Sequence, residues 1–360
     1  METGVIKRRK SRQIMAGSVL IGGDAPISVQ SMTSTDTCDE GATLAQITAL
    51  AQAGADLVRV SVPTMQAASS FARLCEQASV PLIADIHFDY KIAVFCAAHG
   101  AAALRINPGN IGKSERIEQV CRAAAAAKIP IRVGVNAGSL DKDLLEKYRE
   151  PTPEAMVEAA LRAAAVLEEH EFSDYAFSVK ASELNLCVRA YELLAKRTEA
   201  PLHLGITEAG SLQNGTVLSA IGISWLLREG IGDTIRVSLA ADPVEEVKVG
   251  WAILKSMHLR SRGVRVIACP TCARRGLDVV ATVDELERRL SDIRQELTVA
   301  VMGCVVNGPG EALRADAGVC GAAGGQCLLY EHGHQVGRID AAQAAAELER
   351  LVRAQAAALS

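Results

Sequence analysis

Between Ile27 and Ala240 a short β-branched run, a turn and an Ala-rich amphipathic stretch follow one another again and again, and that rhythm limits the fold more than any other feature of the chain. The runs are ISVQSM (27–32), LVRVSV (57–62), PLIADIHF (81–88), AALRINP (102–108), IPIRVGVN (129–136), YAFSVKA (175–181), PLHLGIT (201–207) and TIRVSLA (234–240). Most are apolar throughout rather than alternating, the pattern of strands buried on both faces of a parallel sheet. Eight regular β/α units predict an α/β protein that begins with a closed (β/α)8 TIM-type barrel. An open doubly wound sheet competes, but no glycine-rich dinucleotide fingerprint follows the first strand.

Residues 5 to 26 read as a β-hairpin that caps the bottom of the barrel, turning near Met15-Ala16-Gly17 and at Gly22-Gly23-Asp24. Capping boxes are expected at Thr43-Leu44-Ala45-Gln46, Asp242-Pro243-Val244-Glu245 and Thr282-Val283-Asp284-Glu285, and another helix start at Thr152-Pro153. The predicted domains are a barrel at 1–257, a basic linker at 258–263 and a small α+β domain at 264–360. In the last, strands are expected at 264–267, 297–302, near 317–320 and near 327–330. A helix with Leu286, Leu290 and Ile293 on one face and a final helix over 341–358 complete it. Such a module has little core of its own, and a metal cluster would add folding energy.

The formal net charge of -4 argues against a generic nucleic-acid binder. No run of about 18 apolar residues suggests a membrane-spanning helix. Lys7-Arg8-Arg9-Lys10 is followed by polar residues and Gly22-Gly23 rather than a secretory apolar core, so it reads as a solvated basic start. Of the ten cysteines, Cys75, Cys96, Cys121 and Cys187 fall singly in helical stretches, as small buried hydrophobes do. The expected compartment is the reducing cytoplasm, where clustered cysteines mean metal more often than disulfide.

Barrel enzymes carry their chemistry at the C-terminal ends of the strands. Those ends present Arg59 and Ser61, Asp85 and His87, Arg105 and Asn107, Arg132 and Asn136, Lys180, Thr207 and Glu208, and Arg236 and Ser238. Cations inside apolar strands are costly unless paired or facing a ligand. Pairing with Asp85, Glu208 or Asp56 would account for some of them. The whole set describes a phosphate or diphosphate site, because guanidinium forks match such oxygens. His87 is an orienting group or a ligand contact, and His203, at a strand start, reads as structural.

The small domain opens with Cys269-Pro270-Thr271-Cys272, and Gly303-Cys304 follows its second strand. A C-x2-C turn serves zinc ribbons, thioredoxin-like sites and iron–sulfur proteins alike. A zinc ribbon lacks its second pair here, and a redox disulfide leaves Cys304 unexplained. Three thiolates and an oxygen ligand suit a [4Fe–4S] cluster with one distinctive iron. Glu311, beyond the Asn307-Gly308-Pro309-Gly310 turn, is a candidate fourth ligand, and Cys320 and Cys327 compete with it.

The stretches VRVSVPTM (58–65), ADIHFDY (84–90), LRINPGNIG (104–112), GVNAGSL (134–140), LGITEAG (204–210), IGDTIRVSLAADP (231–243), ACPTCAR (268–274) and GCVVNGPGEA (303–312) stand in one order. On these motifs the chain resembles the GcpE family of bacterial 4-hydroxy-3-methylbut-2-enyl diphosphate synthases, in its two-domain form. The resemblance implies reductive ring opening and dehydration of 2-C-methyl-D-erythritol 2,4-cyclodiphosphate in the non-mevalonate isoprenoid pathway. It implies single electrons from reduced flavodoxin or ferredoxin, and a [4Fe–4S] cluster on Cys269, Cys272, Cys304 and Glu311. Diphosphate binding falls on Arg59, Arg105, Arg132 and Lys180 with Asn136 nearby, and Asp85, Asn107 and Ser238 are further contact candidates. Glu208 is implied as a proton donor or stabiliser; Glu311, a weak carboxylate ligand on a soft cluster, is expected to give way when the distinctive iron opens to substrate. A head-to-tail homodimer, in which one chain's cluster module closes over the other's barrel, is also implied. The CGAAGGQC stretch (320–327) departs from the family pattern. Two other readings of the residues remain: a non-redox iron–sulfur dehydratase, and a phosphate-ligand barrel with a structural zinc module.

Overall fold

The computed structural model describes residues 6–359, so residue 5 of the expected hairpin lies outside the described residues. The chain divides between Arg260 and Ser261 into two compact units.

In the first unit, β1 (Ile14–Ala16) and β2 (Val19–Ile21) form an antiparallel hairpin turning at Gly17-Ser18. Parallel strands follow: β3 (Ser28–Met32), β4 (Leu57–Ser61), β5 (Leu82–Asp85), β6 (Ala103–Ile106), β7 (Ile131–Asn136), β8 (Tyr175–Lys180), β9 (His203–Leu204) and β10 (Thr234–Ile235). The sheet runs β8-β7-β6-β5-β4-β3-β10-β9, so sequential strands are neighbours and β10 returns to β3. A bridge between Phe177 of β8 and Leu202, just before β9, closes the ring. Ile14, Ala16 and Ile21 of the hairpin pack on Leu57, Ile83, Ala103 and Ala176, all at strand starts, and cover the N-terminal end of the barrel.

Three expectations need correction. The last two barrel strands are two residues each; beyond them the ladder survives only as single bonds, Thr207 N to Ala181 O and Arg236 N to Leu204 O. Thr43 and Thr282 do not cap helices. Asp39 and Asp278, one turn earlier, cap Glu40–Ala53 and Val279–Arg289, because a carboxylate complements the positive helix start. Arg8 and Arg9 are not a solvated start either: both guanidinium groups reach the buried Asp233, at 3.1 and 3.7 Å. Asp242 and Thr152 cap as expected, each followed by Pro at the first helical position.

The second unit is a five-stranded sheet in sequential order: β11 (Val264–Ala268), β12 (Leu297–Met302), β13 (Ala317–Gly321), β14 (Gln326–Glu331) and β15 (His334–Asp340). The first three strands are parallel and the last two antiparallel. β15 was not expected, because as an edge strand it is largely exposed and carries no apolar alternation. One face packs Val299, Val301, Val319, Cys327 and Leu329 with Leu286, Leu290, Ile293 and the helix Ala344–Ala358. The other carries Ala300, Met302, Cys320 and Tyr330. Among the described residues no helix is long and apolar enough to cross a membrane.

Candidate functional site

Strand register assembles the barrel site. Ser61 stands opposite Asp85, Asp85 opposite Arg105, and Arg105 opposite Arg132, one row across four strands. Asp85, Arg105, Arg132 and Lys180 are all buried, so their charges face the barrel interior rather than solvent. Asp85 Oδ1 accepts from Arg105 at 3.4 Å, while its Oδ2 lies 3.8 Å from Arg59 Nε and 3.7 Å from His87 Nε2. Burial pushes the Asp85 carboxyl up, but Arg59, His87 and Arg105 outweigh it and hold the group below the ordinary carboxylate range. Arg59 also rests on Met32 Sδ, at 3.1 and 2.9 Å. Its burial draws the guanidinium down to about 10.

The cations outnumber their partners. Arg132 donates one bond to Gln30 Oε1, leaving its Nε and second terminal nitrogen unpartnered among the described residues, and Arg105 Nε is also unspent there. Lys180, the last residue of β8, makes no ion pair among the described residues. Burial, then Arg236, Arg59 and Arg132, push its ammonium well below the usual lysine range. Burial and then Arg59 and Arg105 do the same to Arg132. Donors desolvated at a cost and left unsatisfied are what an anion-binding pocket leaves for its ligand.

Two glycines make the room. A Cβ on Gly134 of β7 would stand 2.5 Å from Arg105 Nε, and one on Gly205 would stand 2.7 Å from Lys180 Nζ. Neither glycine needs a left-handed backbone; Gly134 is small because the Arg105 guanidinium lies across it, and Gly205 because a Cβ there would meet the Arg236 carbonyl oxygen first and then Lys180. Glu208 is different. It is an exposed residue at the mouth held at φ +53°, a conformation costing about 1 kcal/mol or more for a side chain with a Cβ.

The remaining expected residues are placed as follows. Asn136 and Ser238 are half-buried near the strand ends, the Ser238 hydroxyl without a partner. Asn107 spends its carboxamide oxygen capping Pro108–Ile111, through Gly109 N at 3.1 Å. His203 is fully buried, bonded to Thr234 Oγ1 at 2.9 Å. Burial, then Arg132 and Lys180, drive its imidazole toward the neutral form. Asp56 is not a partner of the row: it binds Arg260 and Val29 N. The partner that sequence reasoning missed is Glu246, in the first turn of the helix Pro243–Ser256, which accepts from Arg236 at 3.3 Å. The available signal was an acidic residue at a helix start, since each barrel helix begins near the strands' C-terminal ends.

In the second unit β11 and β12 are adjacent and parallel, so their C-terminal loops emerge side by side, with Ala268 opposite Val301. Cys269 and Cys272 follow the first strand and Cys304 the second. Cys269 Sγ accepts a hydrogen bond from Gly303 N at 3.1 Å. The backbone N–H of Val306 and the Arg274 side chain favour the Cys304 thiolate and bring that thiol below its ordinary value. Sulfurs receiving backbone N–H bonds are suited to iron–sulfur ligation, and the donor set fits a cluster. Glu311 lies on the short helix Gly308–Ala312 after the Cys304 loop. Among the described residues no three of these groups are gathered at metal-holding distance. Cys327 faces the helix-covered side of the sheet and Cys320 the opposite one, against Cys269. Burial pushes the Cys320 thiol up to about 12.

Residues 11–251 match the family described as the GcpE TIM-barrel domain, and residues 265–354 match the GcpE protein C-terminal domain. A 4-hydroxy-3-methylbut-2-en-1-yl diphosphate synthase (flavodoxin) of Marinobacter nauticus is 58% identical, covering 97% of this chain and 93% of the relative. One from Pseudomonas putida is 59% identical, covering 98% and 95%. Among solved structures, a type I 3-dehydroquinate dehydratase of Clostridium difficile superposes with a TM-score of 0.51 at 11% identity. That match covers 69% of this chain and 98% of the other, and it shows the barrel fold alone.

Proposed function

Because the chain belongs to the GcpE family of 4-hydroxy-3-methylbut-2-en-1-yl diphosphate synthases, we propose that its barrel holds the diphosphate of the substrate and its second unit carries the electron-transferring cluster. The chain is an oxidoreductase of the non-mevalonate isoprenoid pathway, making its diphosphate product by reductive ring opening and dehydration of the cyclodiphosphate.

The observation that carries the binding proposal is the unspent donors of buried Arg105 and Arg132. Arg59, Arg105, Arg132 and Lys180 take the diphosphate oxygens, with Asn107, Asn136 and Ser238 as further contacts. Asp85 holds Arg59 and Arg105 in place, and this fixed array costs no reorganisation as charge moves onto the departing phosphate oxygen. Glu208, strained at the mouth, is assigned to proton donation toward the departing hydroxyl. Cys269, Cys272, Cys304 and Glu311 would hold a [4Fe–4S] cluster, which supplies electrons one at a time when bound. Among these ligands the carboxylate of Glu311 is the weakest match to a soft metal and the easiest to displace.

The relatives' name specifies flavodoxin, which is the electron donor proposed here, with ferredoxin its alternative. A head-to-tail homodimer and a cytoplasmic location complete the reading. Anaerobic turnover of the cyclodiphosphate with a chemical reductant tests it. The expected result is a brown protein with about four irons per chain that needs an electron source. Glu311→Ala should keep substrate binding and lose most turnover, and full activity in that variant would sink the assignment. Turnover without any electron donor would favour the dehydratase, and a colourless protein with a single zinc the binding protein.

A further inference from the structure

We propose that Glu246 is a positioning residue for this reaction, aiming Arg236 at the substrate's diphosphate and tying down the strand end that carries it. The inference rests on the diphosphate reading above. Glu246 is 4% exposed, and a carboxylate so buried is tolerable only with its acceptor sites filled. They are filled from three directions. Arg236 donates to Oε1 and Oε2 at 3.3 and 3.4 Å, Ser31 Oγ donates to Oε2 at 3.1 Å, and Leu239 N donates to Oε1 at 3.0 Å.

The backbone explains why the carboxylate is needed there. The β10 ladder ends at Ile235. After the Arg236 N bond to Leu204 O, the next backbone bond donated by this segment is Ala240 N to Gly210 O. Glu246 fills the interval, supplying Leu239 N with the acceptor that a neighbouring strand would otherwise provide. The same carboxylate holds the Arg236 side chain close to Arg59 and Lys180, both of which its positive charge pushes down. Arg236 Nε is buried and has no partner among the described residues, a donor left over for a ligand.

The charge balance sets the signature. Glu246→Gln removes a negative charge from a cavity already rich in cations, so attraction for an anion is not weakened. Direction is lost instead. In anaerobic turnover, kcat should fall by about 10- to 100-fold, the scale of a misplaced contact, while KM does not rise. Calorimetry with inorganic pyrophosphate should give a Kd within about threefold of wild type, or tighter. Arg236→Lys keeps the charge but loses the fork, leaves Ser31 and Leu239 bonded to Glu246, and should lower kcat on the same scale. It carries the test if Glu246→Gln does not fold. Wild-type kcat in either folded variant, or pyrophosphate affinity lost in step with kcat in Glu246→Gln, overturns the proposal. If wild-type protein itself neither binds pyrophosphate nor turns over the cyclodiphosphate, the failure lies in the functional reading rather than in Glu246.

Discussion

Gly134→Ala is the smallest change that should disable the barrel, and its effect can be worked from the coordinates. The new Cβ would lie 2.5 Å from Arg105 Nε, 2.6 Å from Nη2 and 2.9 Å from Cζ. Comfortable contact needs about 3.5 Å or more, so one side must retreat by about 1 Å. The backbone cannot, because Gly134 is laddered into β7 opposite Ser178 of β8. The guanidinium therefore moves, and its bond to Asp85, already 3.4 Å long, breaks. Overpacking of this kind costs about 1–3 kcal/mol of stability, at the low end because a side-chain tip can yield. Activity should suffer more: with Arg105 as the proposed diphosphate contact, a displacement of about 1 Å should lower kcat/KM by about 100-fold. Anaerobic turnover gives the activity and thermal unfolding the stability. In an Arg105→Ala background the clash is absent, so adding Gly134→Ala should change kcat/KM by less than about twofold. An equal loss in both backgrounds would refute the steric account, as would a Gly134→Ala enzyme with wild-type kcat/KM.

Asp85→Asn should destabilise the protein by about 3–5 kcal/mol near neutral pH, because it leaves buried cations uncompensated. Asp85 is depressed in the folded state, so its contribution is full above the unfolded carboxylate value of about 4 and is lost as pH falls through the lower folded value. Urea titrations should find the gap between wild type and variant constant from about pH 7 to 5 and closing below that. Cys327→Ala should leave iron content per chain unchanged, since Cys327 faces the helix-covered side of its sheet; loss of iron would return it to the ligand set. Gly308→Ala would place a Cβ 2.7 Å from Cys320 Sγ and shift the turn carrying Glu311, so reconstituted iron should drop, and Cys320→Ala in the same chain, which removes the sulfur but keeps a Cβ at 3.0 Å, should restore part of it. Failure of that rescue would show that the turn is not seated on Cys320.

What was legible followed from local physics. Continuous apolar strands between amphipathic helices identify a parallel barrel, because period and burial are properties of adjacent residues. A cation per strand end leads to the proposal of an anion site, because the desolvation cost does not depend on knowing the partner. What was illegible depended on competition or distance. Thr43 and Thr282 fit the capping pattern, yet Asp39 and Asp278 stood one turn earlier with the stronger acceptor. β9 and β10 read as long strands, but only two residues of each form a ladder.

The sequence by itself determined the barrel, the trio of cysteines with a nearby glutamate, and the list of cations, since each is written in spacing and residue type. Only the tertiary structure decided how those cations are held. Register put Asp85, Arg105 and Arg132 in one row, and Gly134 and Gly205 opened the space across which Arg105 and Lys180 lie. Folding also brought Glu246 to Arg236 and sent Cys320 and Cys327 to opposite faces of one sheet. The reason is physical: a buried charge must find its partner in space, and that partner is chosen by strand order and alternation rather than by closeness along the chain.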